Sequence, residues 1–587
     1  IPTTPPPGNT DSLALAGPDV WLLEDKETRW TYRYDFVKEL ETGADPLSFK
    51  TLQLTSISDQ NGNQVQVVLN TDATINYLQD AAGRRTTFTY DANRRCTRMV
   101  TPNGEQATYA YDARGNLVSS VDLLGNLTTY AYDAGNYMTS MTVGNKTTRF
   151  AYSGTGREKK LAAVTDALGH VTTYSAAASG MDNVVSVRDP EGKITKFTSR
   201  DGKNTKIVDP LQYEALKGYA PTALNSYTTG LKTDITDRRG VPTSLEYDTR
   251  NNLTATSIPQ GIKRAFTYDL ADNPVSKTVA HWGNSQTWQY AYDAKQNLTQ
   301  ITSPSLKQTV RTFDAKGQIT SLQNANGKTF SFEHDAFGNP RKATDPLGNT
   351  IQLAYDPWGI NVTAVTDALG NTSHLEYDAN RRLTKVIHPD NAAMTFTYDC
   401  CSLTAVTDEN GNTTSISSNK LLSPVSITDP LGHSTSLSYD ANNKLTAVQD
   451  PLGNSATISD DAGGRPVTLT NALNGTVQRQ YDGEWNMTAV TDERGNKTTL
   501  EYDDNHLPTA ETDPLGNIVR RIRDDAGRFT GIINSRNTYI SFTHNADGRK
   551  TGKAYNAKSA VTYAYDNNGN LTQFTDAGGT TSYLYND

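Results

Sequence analysis

The sequence predicts an all-β protein, built from tandem β-hairpins that share one continuous, coiled sheet. Three observations carry that expectation. A Tyr-Asp dipeptide recurs about every 21 residues, and a period in that range marks one supersecondary unit copied many times. Residues before each Tyr alternate with period two, as strands do. Gly, Asn, Asp and Pro cluster between these runs at turn spacing.

The register can be followed along the chain. Tyr90, Tyr111 and Tyr132 each precede Asp. Tyr152 and Tyr174 keep the ring and lose the Asp. The pair returns at Tyr247 and Tyr268, slips by about three residues at Tyr292, and continues at Tyr355, Tyr377, Tyr398, Tyr439, Tyr481, Tyr502 and Tyr565. Phe313 and His334 occupy the same position. These thirteen tyrosines are the candidate structural ladder. Neighbouring rings on one sheet face stabilise each other by roughly 0.2–1 kcal/mol per pair, and a phenol tip can stay wet while its ring packs.

One unit shows why each element forms. Thr108-Tyr109-Ala110-Tyr111-Asp112 is a strand with both rings on one face. Residues 113–116 turn the chain, with Asp112 as side-chain cap and Gly115 supplying positive φ. Residues 117–122 are the returning strand, expected to place Leu117, Ser119 and Val121 on one face. A second turn follows, which elsewhere reads Asp-Pro-Leu-Gly, at 345–348, 429–432, 450–453 and 513–516. Pro lacks an N–H, so it punctuates strands instead of lying inside one. Helical patterning is nearly absent. Around 32–41 a helix and an alternating strand fit equally well.

Composition agrees with a repeat architecture. Repeat proteins grow by stacking units, so 587 residues need not mean several closed cores. Only 35% of the chain is hydrophobic and the mean hydropathy is −0.61. With 30 Tyr and regular patterning it is not a disordered composition. A large sheet with at least one wet face suits it. The net charge of −9 is modest and Lys and Arg form no stripe, so nucleic acid is not an expected partner. No stretch reaches 18 apolar residues, so no transmembrane segment is expected.

The three cysteines, Cys96, Cys400 and Cys401, cannot build a disulfide framework, and ordinary packing is the expectation for them. The eight His show no metal-ligand spacing, and no G-x-S-x-G, H-E-x-x-H, P-loop or C-x-x-C occurs. The expectation is therefore no enzyme, no cofactor and no metal.

Residues 1–49 lack the hairpin signals and read as a cap or plug; 50–587 read as the repeat domain. Residues 1–7 are Pro- and Thr-rich, and Trp21 and Trp30 flank a charged stretch. Residues 212–230 break the register, either as a surface loop or as a binding insertion. His281-Trp282-Gly283-Asn284 lengthens one turn, consistent with the slip at Tyr292. The chain starts without Met, so either a leader was removed or the sequence is a fragment, and it ends within a repeat, so further chain is expected.

Copies such as Tyr111-Asp112-Ala113-Arg114-Gly115-Asn116-Leu117 and Tyr565-Asp566-Asn567-Asn568-Gly569-Asn570-Leu571-Thr572 resemble the YD-repeat, or RHS-repeat, family. Tyr377-Asp378-Ala379-Asn380-Arg381-Arg382-Leu383-Thr384 is close to them. That family includes bacterial Rhs toxins, the C components of insecticidal toxin complexes, WapA-type wall proteins and the teneurins. The resemblance implies a hollow β-shell enclosing a C-terminal toxic domain. It also implies a self-cleaving Asp-Pro-x-Gly-Leu motif, but here every Asp-Pro-Leu-Gly continues with Asn349, His433, Asn454 or Asn517. No catalytic residue is carried over.

The functional expectation is a non-catalytic shell of a secreted bacterial Rhs-type toxin, its partner a C-terminal effector outside this sequence. The alternative is an extracellular filament or cell-surface adhesin, partnered by neighbouring copies of itself or by a surface glycan stacked on the rings.

Overall fold

The computed structural model describes residues 12–585, apart from 18–19, 26–27, 41–48, 157–158, 201–202, 220–230, 259–261, 282–283, 400 and 525–527. Residues 1–7, Trp282, Cys400 and most of the 212–230 insertion therefore lie outside the described residues. The described chain is 53 strands of one sheet, with no helix among the described residues. Each strand pairs antiparallel with its sequence neighbours, from Ser12–Gly17 beside Val20–Glu24 to Leu571–Asp576 beside Gly579–Ser582. First and last strands are not paired, so the ladder does not close into a barrel.

The stretch around 32–41 forms the strand Thr31–Leu40, paired with Phe49–Ser58. The segment set apart as 1–49 thus contributes its strands to the same sheet, although it lacks Tyr-Asp turns. The 212–230 stretch begins with the strand Glu214–Tyr219. His281 pairs with Asn284 at the tip of one hairpin.

Both kinds of turn have the same construction. At 112–116, the Gly115 N–H donates to the Asp112 carbonyl (3.0 Å) and the Asp112 N–H to that of Asn116 (2.9 Å). This is a tight turn closed by a residue in the left-handed region, φ 90° at Gly115. One Asp112 oxygen accepts from the N–H of Arg114 and of Asn116, both at 2.9 Å, and the other from the Asn116 side chain at 3.0 Å. The turn at 345–349 repeats every one of these bonds. Asp suits the first position because it satisfies three donors that the strands leave over; Asn does part of the same at Asn324, Asn471 and Asn534.

A β-bulge follows each Tyr-Asp turn and changes the facing of the returning strand. Leu117 lies opposite Tyr111, but Ser119 already lies opposite Ala110. The expectation that Leu117, Ser119 and Val121 share a face is corrected by this extra residue. Leu117 and Ser120 face the rings, whereas Ser119 and Val121 face the other way. The same bulge explains the Leu-Thr-x-Val pattern: Leu383 lies opposite Tyr377 and Val386 opposite Leu375. Two apolar residues three apart reach one face only because the strand is bulged.

The result is a single-layer wall. Its accessible surface is 33813 Å², against about 20,000 Å² for a compact protein of 64.1 kDa. Among the described residues no side chain is fully buried, and the buried apolar set is Val67, Ala107, Ala255, Ala489 and Ala510.

Candidate functional site: the tyrosine ladder and the seam between coils

The ladder tyrosines do more than pack. The Tyr132 hydroxyl donates to the Leu117 carbonyl at 3.0 Å, fifteen residues back. Tyr111 reaches Cys96, Tyr268 reaches Leu253, and Tyr355 reaches Pro340, all at 2.8–2.9 Å. Tyr377 reaches Val362, Tyr398 Leu383, Tyr439 Pro424, Tyr481 Pro466, Tyr502 Met487 and Tyr565 Lys550. Tyr292 reaches Pro274, eighteen residues back, which absorbs the slip seen in the sequence. Tyr90 bonds the Ile75 backbone. Tyr152 and Tyr585, outside the ladder as first read, do the same with Met138 and Leu571.

The acceptor is always the residue that opens the bulged strand. Pairing of that strand with the next one starts later, at Ser119 opposite Thr129. The carbonyl at Leu117 therefore lies beyond the ladder's end, and the phenol satisfies it. The hydroxyls are thus not left to water, as a half-wet ring would suggest. Burial of the ring pushes the phenol pKa up at Tyr111, Tyr132, Tyr247, Tyr268, Tyr355, Tyr377, Tyr502 and Tyr565.

Position five of the Tyr-Asp turn is most often Asn or Arg, with Tyr137, Ile360, Lys444 and Leu507 among the exceptions, and both types tie one turn to the next. Arg95 pairs with Asp91 at 2.7 Å and lies over the Tyr111 ring, 4.7 Å from its centre. Arg382 repeats this with Asp378 and Tyr398. Asn116 bonds Asn136 (3.0 Å), and Asn339 bonds the Gly359 carbonyl (2.8 Å).

A second set of contacts joins residues roughly 250 apart. Asn61 and Asn297 exchange side-chain amide bonds (2.9 and 3.3 Å) across 236 positions. Asn442 donates to Asp189 (2.8 Å), the Arg238 N–H to Glu484 (2.6 Å), and the Ser305 N–H to Asp547 (3.0 Å). Arg381 pairs with Glu105 across 276 positions. Each contact joins the second, or back, turn of an early hairpin to a Tyr-Asp turn of a later one. The wall therefore coils upon itself, one coil taking 234–276 residues. Arg29 reaches Asn273 (3.5 Å), so the N-terminal strands belong to the first coil.

The seam is where polar groups are buried. Asn297 is 7% exposed and Arg465 5%. Arg465 pairs with Asp461 at 2.7 Å and lies near both its own ladder ring, Tyr481, and Tyr213 of the previous coil. Burial raises the Asp547 pKa, but the Ser305 donors outweigh it and hold that carboxyl below its usual range. A cleft of about 390 Å³ opens along the seam between Trp30, Ile57, Arg84 and Phe337. Among the described residues no three His, Cys, Asp or Glu cluster as metal ligands.

Sequence reasoning found the rings and missed the seam.

Six stretches, 78–106, 111–148, 313–350, 355–393, 424–455 and 485–518, match the RHS Repeat family. These six stretches are RHS repeats. The fold of the chain is similar to the crystal structure of TcdB2-TccC3-Cdc42: 10% identity, 93% of this chain and 40% of that one covered, TM-score 0.51. It also matches TcdB2-TccC3 (10%, 93% and 38%, 0.49) and the Photorhabdus luminescens Tc holotoxin pore (10%, 92% and 39%, 0.48). The chain spans about two fifths of the length of these structures. No curated protein matches it.

Tyr377→Phe keeps the ring and removes the hydroxyl bonded to Val362. It is expected to cost about 1 kcal/mol. Faster amide exchange should be confined to the hairpins around 362–383, because each unit contacts mainly its neighbours. Hydrogen exchange with mass spectrometry checks this.

The turn carboxylates and the phenols set opposite pH limits. Bonds from the Asn side chain four residues on lower the pKa of Asp112, Asp345, Asp367, Asp450 and Asp513. Their contribution is present above the unfolded value near 4 and is lost as pH falls through the folded values. The raised phenols contribute below the unfolded value near 10 and lose that contribution as pH rises through the folded values. Urea midpoints should therefore be flat around neutrality and fall below about pH 4 and above about pH 10.

Proposed function

We propose that this chain is a wall segment of a toxin-complex type of shell, acting by enclosure and not by catalysis. The observation that carries the reading is the single-layer sheet that coils on itself and buries no core. Such a wall has stability without a filled interior, which is what a container needs. The RHS repeats and the fold likeness to TcdB2-TccC3-Cdc42 support it. The occupant in this reading is a C-terminal effector, and the setting is secreted or extracellular. Residues 1–49, whose strands begin the first coil, close the starting end of the wall.

The alternative reading is a filament or adhesin built from neighbouring copies of this chain. Carbohydrate stacking on the rings is not favoured, because the bonded ladder hydroxyls are already engaged.

Cryo-electron microscopy of the full-length gene product separates these readings. Enclosure gives closed hollow particles with internal density, and the C-terminal part survives added protease until the particle is denatured. Open fibres, or a C-terminal part digested at the rate of free protein, would overturn it.

A further inference from the structure

The ties across the seam share a position. Counting Asp, or the residue in its place, as the first turn residue, third positions meet third positions. The Ser305 N–H donates to Asp547 at 3.0 Å, and the Asn326 N–H to the Asn568 side chain at 3.2 Å.

One stretch of the seam departs from this. It lies between the Asn61–Asn297 pair and the Glu105–Arg381 pair. There the back turn 80–84 faces two turns of the Tyr-Asp type, 335–339 and 356–361, from the next coil. The third residues are Ala82 and Phe337, which line one cleft and have no polar side-chain atom to share. The tie comes instead from Arg84. It pairs with Asp80 at 2.6 Å, lies over the Phe337 ring 4.5 Å from its centre, and donates to the Trp358 carbonyl at 3.0 Å. Among the described residues no other hydrogen bond or ion pair joins these two turns to the earlier coil. The Arg84 side chain is 31% exposed, against 6% for Arg465 elsewhere in the seam, so water competes for it.

Space flanks this one tie on both sides. The cleft of about 390 Å³ lies between Ile57, Val65 and Phe337, and a second of about 280 Å³ between Thr101, Leu123, Trp358 and Arg381. Asp80 and Arg84 line both. The wall behind is also less stitched. Phe313 and His334 stand at successive ladder positions, opposite Ile319 and Pro340. Among the described residues no side chain donates to the carbonyls of Leu298 or Ile319, fifteen residues before them. Arg523 and His544 also follow one another on the ladder, but the turn after His544 is held across the seam by Asp547 and Ser305.

We infer that Arg84 is the bolt of a lateral gate: the seam between 80–84 and 335–361 parts ahead of the rest of the coil, while the strands on either side keep their pairing. Proteins open locally where the fewest contacts must break, and here one side chain holds two turns. Two neighbouring turns span roughly 20 Å of seam, and an extended chain is roughly 10 Å across. On the enclosure reading the gap is an exit for extended polypeptide. That use rests on the reading, whereas the parting itself does not.

Distances between spin labels test it on the full 587-residue chain carrying Cys96→Ser, Cys400→Ser and Cys401→Ser. One pair of labels goes on Ala81→Cys and Ala336→Cys, exposed second-position residues on either side of the gate. A control pair takes the same turn positions across a tied stretch, Ala325→Cys and Asn567→Cys, beside the Asn326–Asn568 bond. Expected are two distances for the gate pair and one for the control. Arg84→Ala should raise the ratio of long to short gate distances at least about tenfold, since it removes a charged hydrogen bond, and leave the control unchanged. Ala82→Ser with Phe337→Asp, which copies the Ser305–Asp547 tie, should leave only the short distance. Circular dichroism should show the same strand content in every variant. A single gate distance that Arg84→Ala does not alter would overturn the inference. So would a control pair that separates as readily as the gate pair.

Discussion

The structure depends on one hydrogen bond repeated along the chain, from a ladder phenol to the carbonyl that opens the preceding bulged strand. The bulge turns Leu and Val of the returning strand onto the ring face. It also moves that strand's first carbonyl past the end of its ladder. An unpaired carbonyl there would carry a desolvation penalty, and the phenol fifteen residues on removes it. Ring packing and backbone satisfaction are thus one device. This is why Phe313 or His334 can replace a rung without loss of register but cannot make the stitch.

Stability in such a wall is spread and local. A typical hairpin adds a capped turn at either end, a ring pair and a phenol stitch, and none of these needs a thick core. The second constraint is the seam. Antiparallel pairing with sequence neighbours alone would give an open ribbon with two wet rims. Pairing back turns with Tyr-Asp turns about 250 residues later converts the ribbon into a coil, and it buries the polar side chains that the wall otherwise leaves wet. Arg465, held between Asp461 and two rings from adjacent coils, is the clearest example.

Much of the fold was legible because the repeat carries its own chemistry. Tyr109 and Tyr111 alternate with small residues, and Asp112 and Gly115 define a turn by side-chain capping and backbone conformation. The faces of Leu117 and Ser119 were misassigned because a bulge adds a residue without changing composition. The phenol's partner was missed for the same reason, since its acceptor is a backbone carbonyl. The seam was illegible because Asn61 and Asn297 have no local signal that joins them across 236 positions. Even Arg381 and Glu105 look like ordinary turn residues until the coil brings them together.

The central claim is that one continuous antiparallel ribbon coils so that turns roughly 250 residues apart touch. Zero-length carboxylate–amine cross-linking with mass spectrometry tests it directly on dilute protein. Lys307 and Asp547 lie 3.9 Å apart at the seam, and Lys159 and Asp133 lie 2.6 Å apart within one coil. On this account both links form within single chains. Recovery of the Lys159–Asp133 link without Lys307–Asp547 would mean that the repeats pair locally but do not coil, and would contradict it.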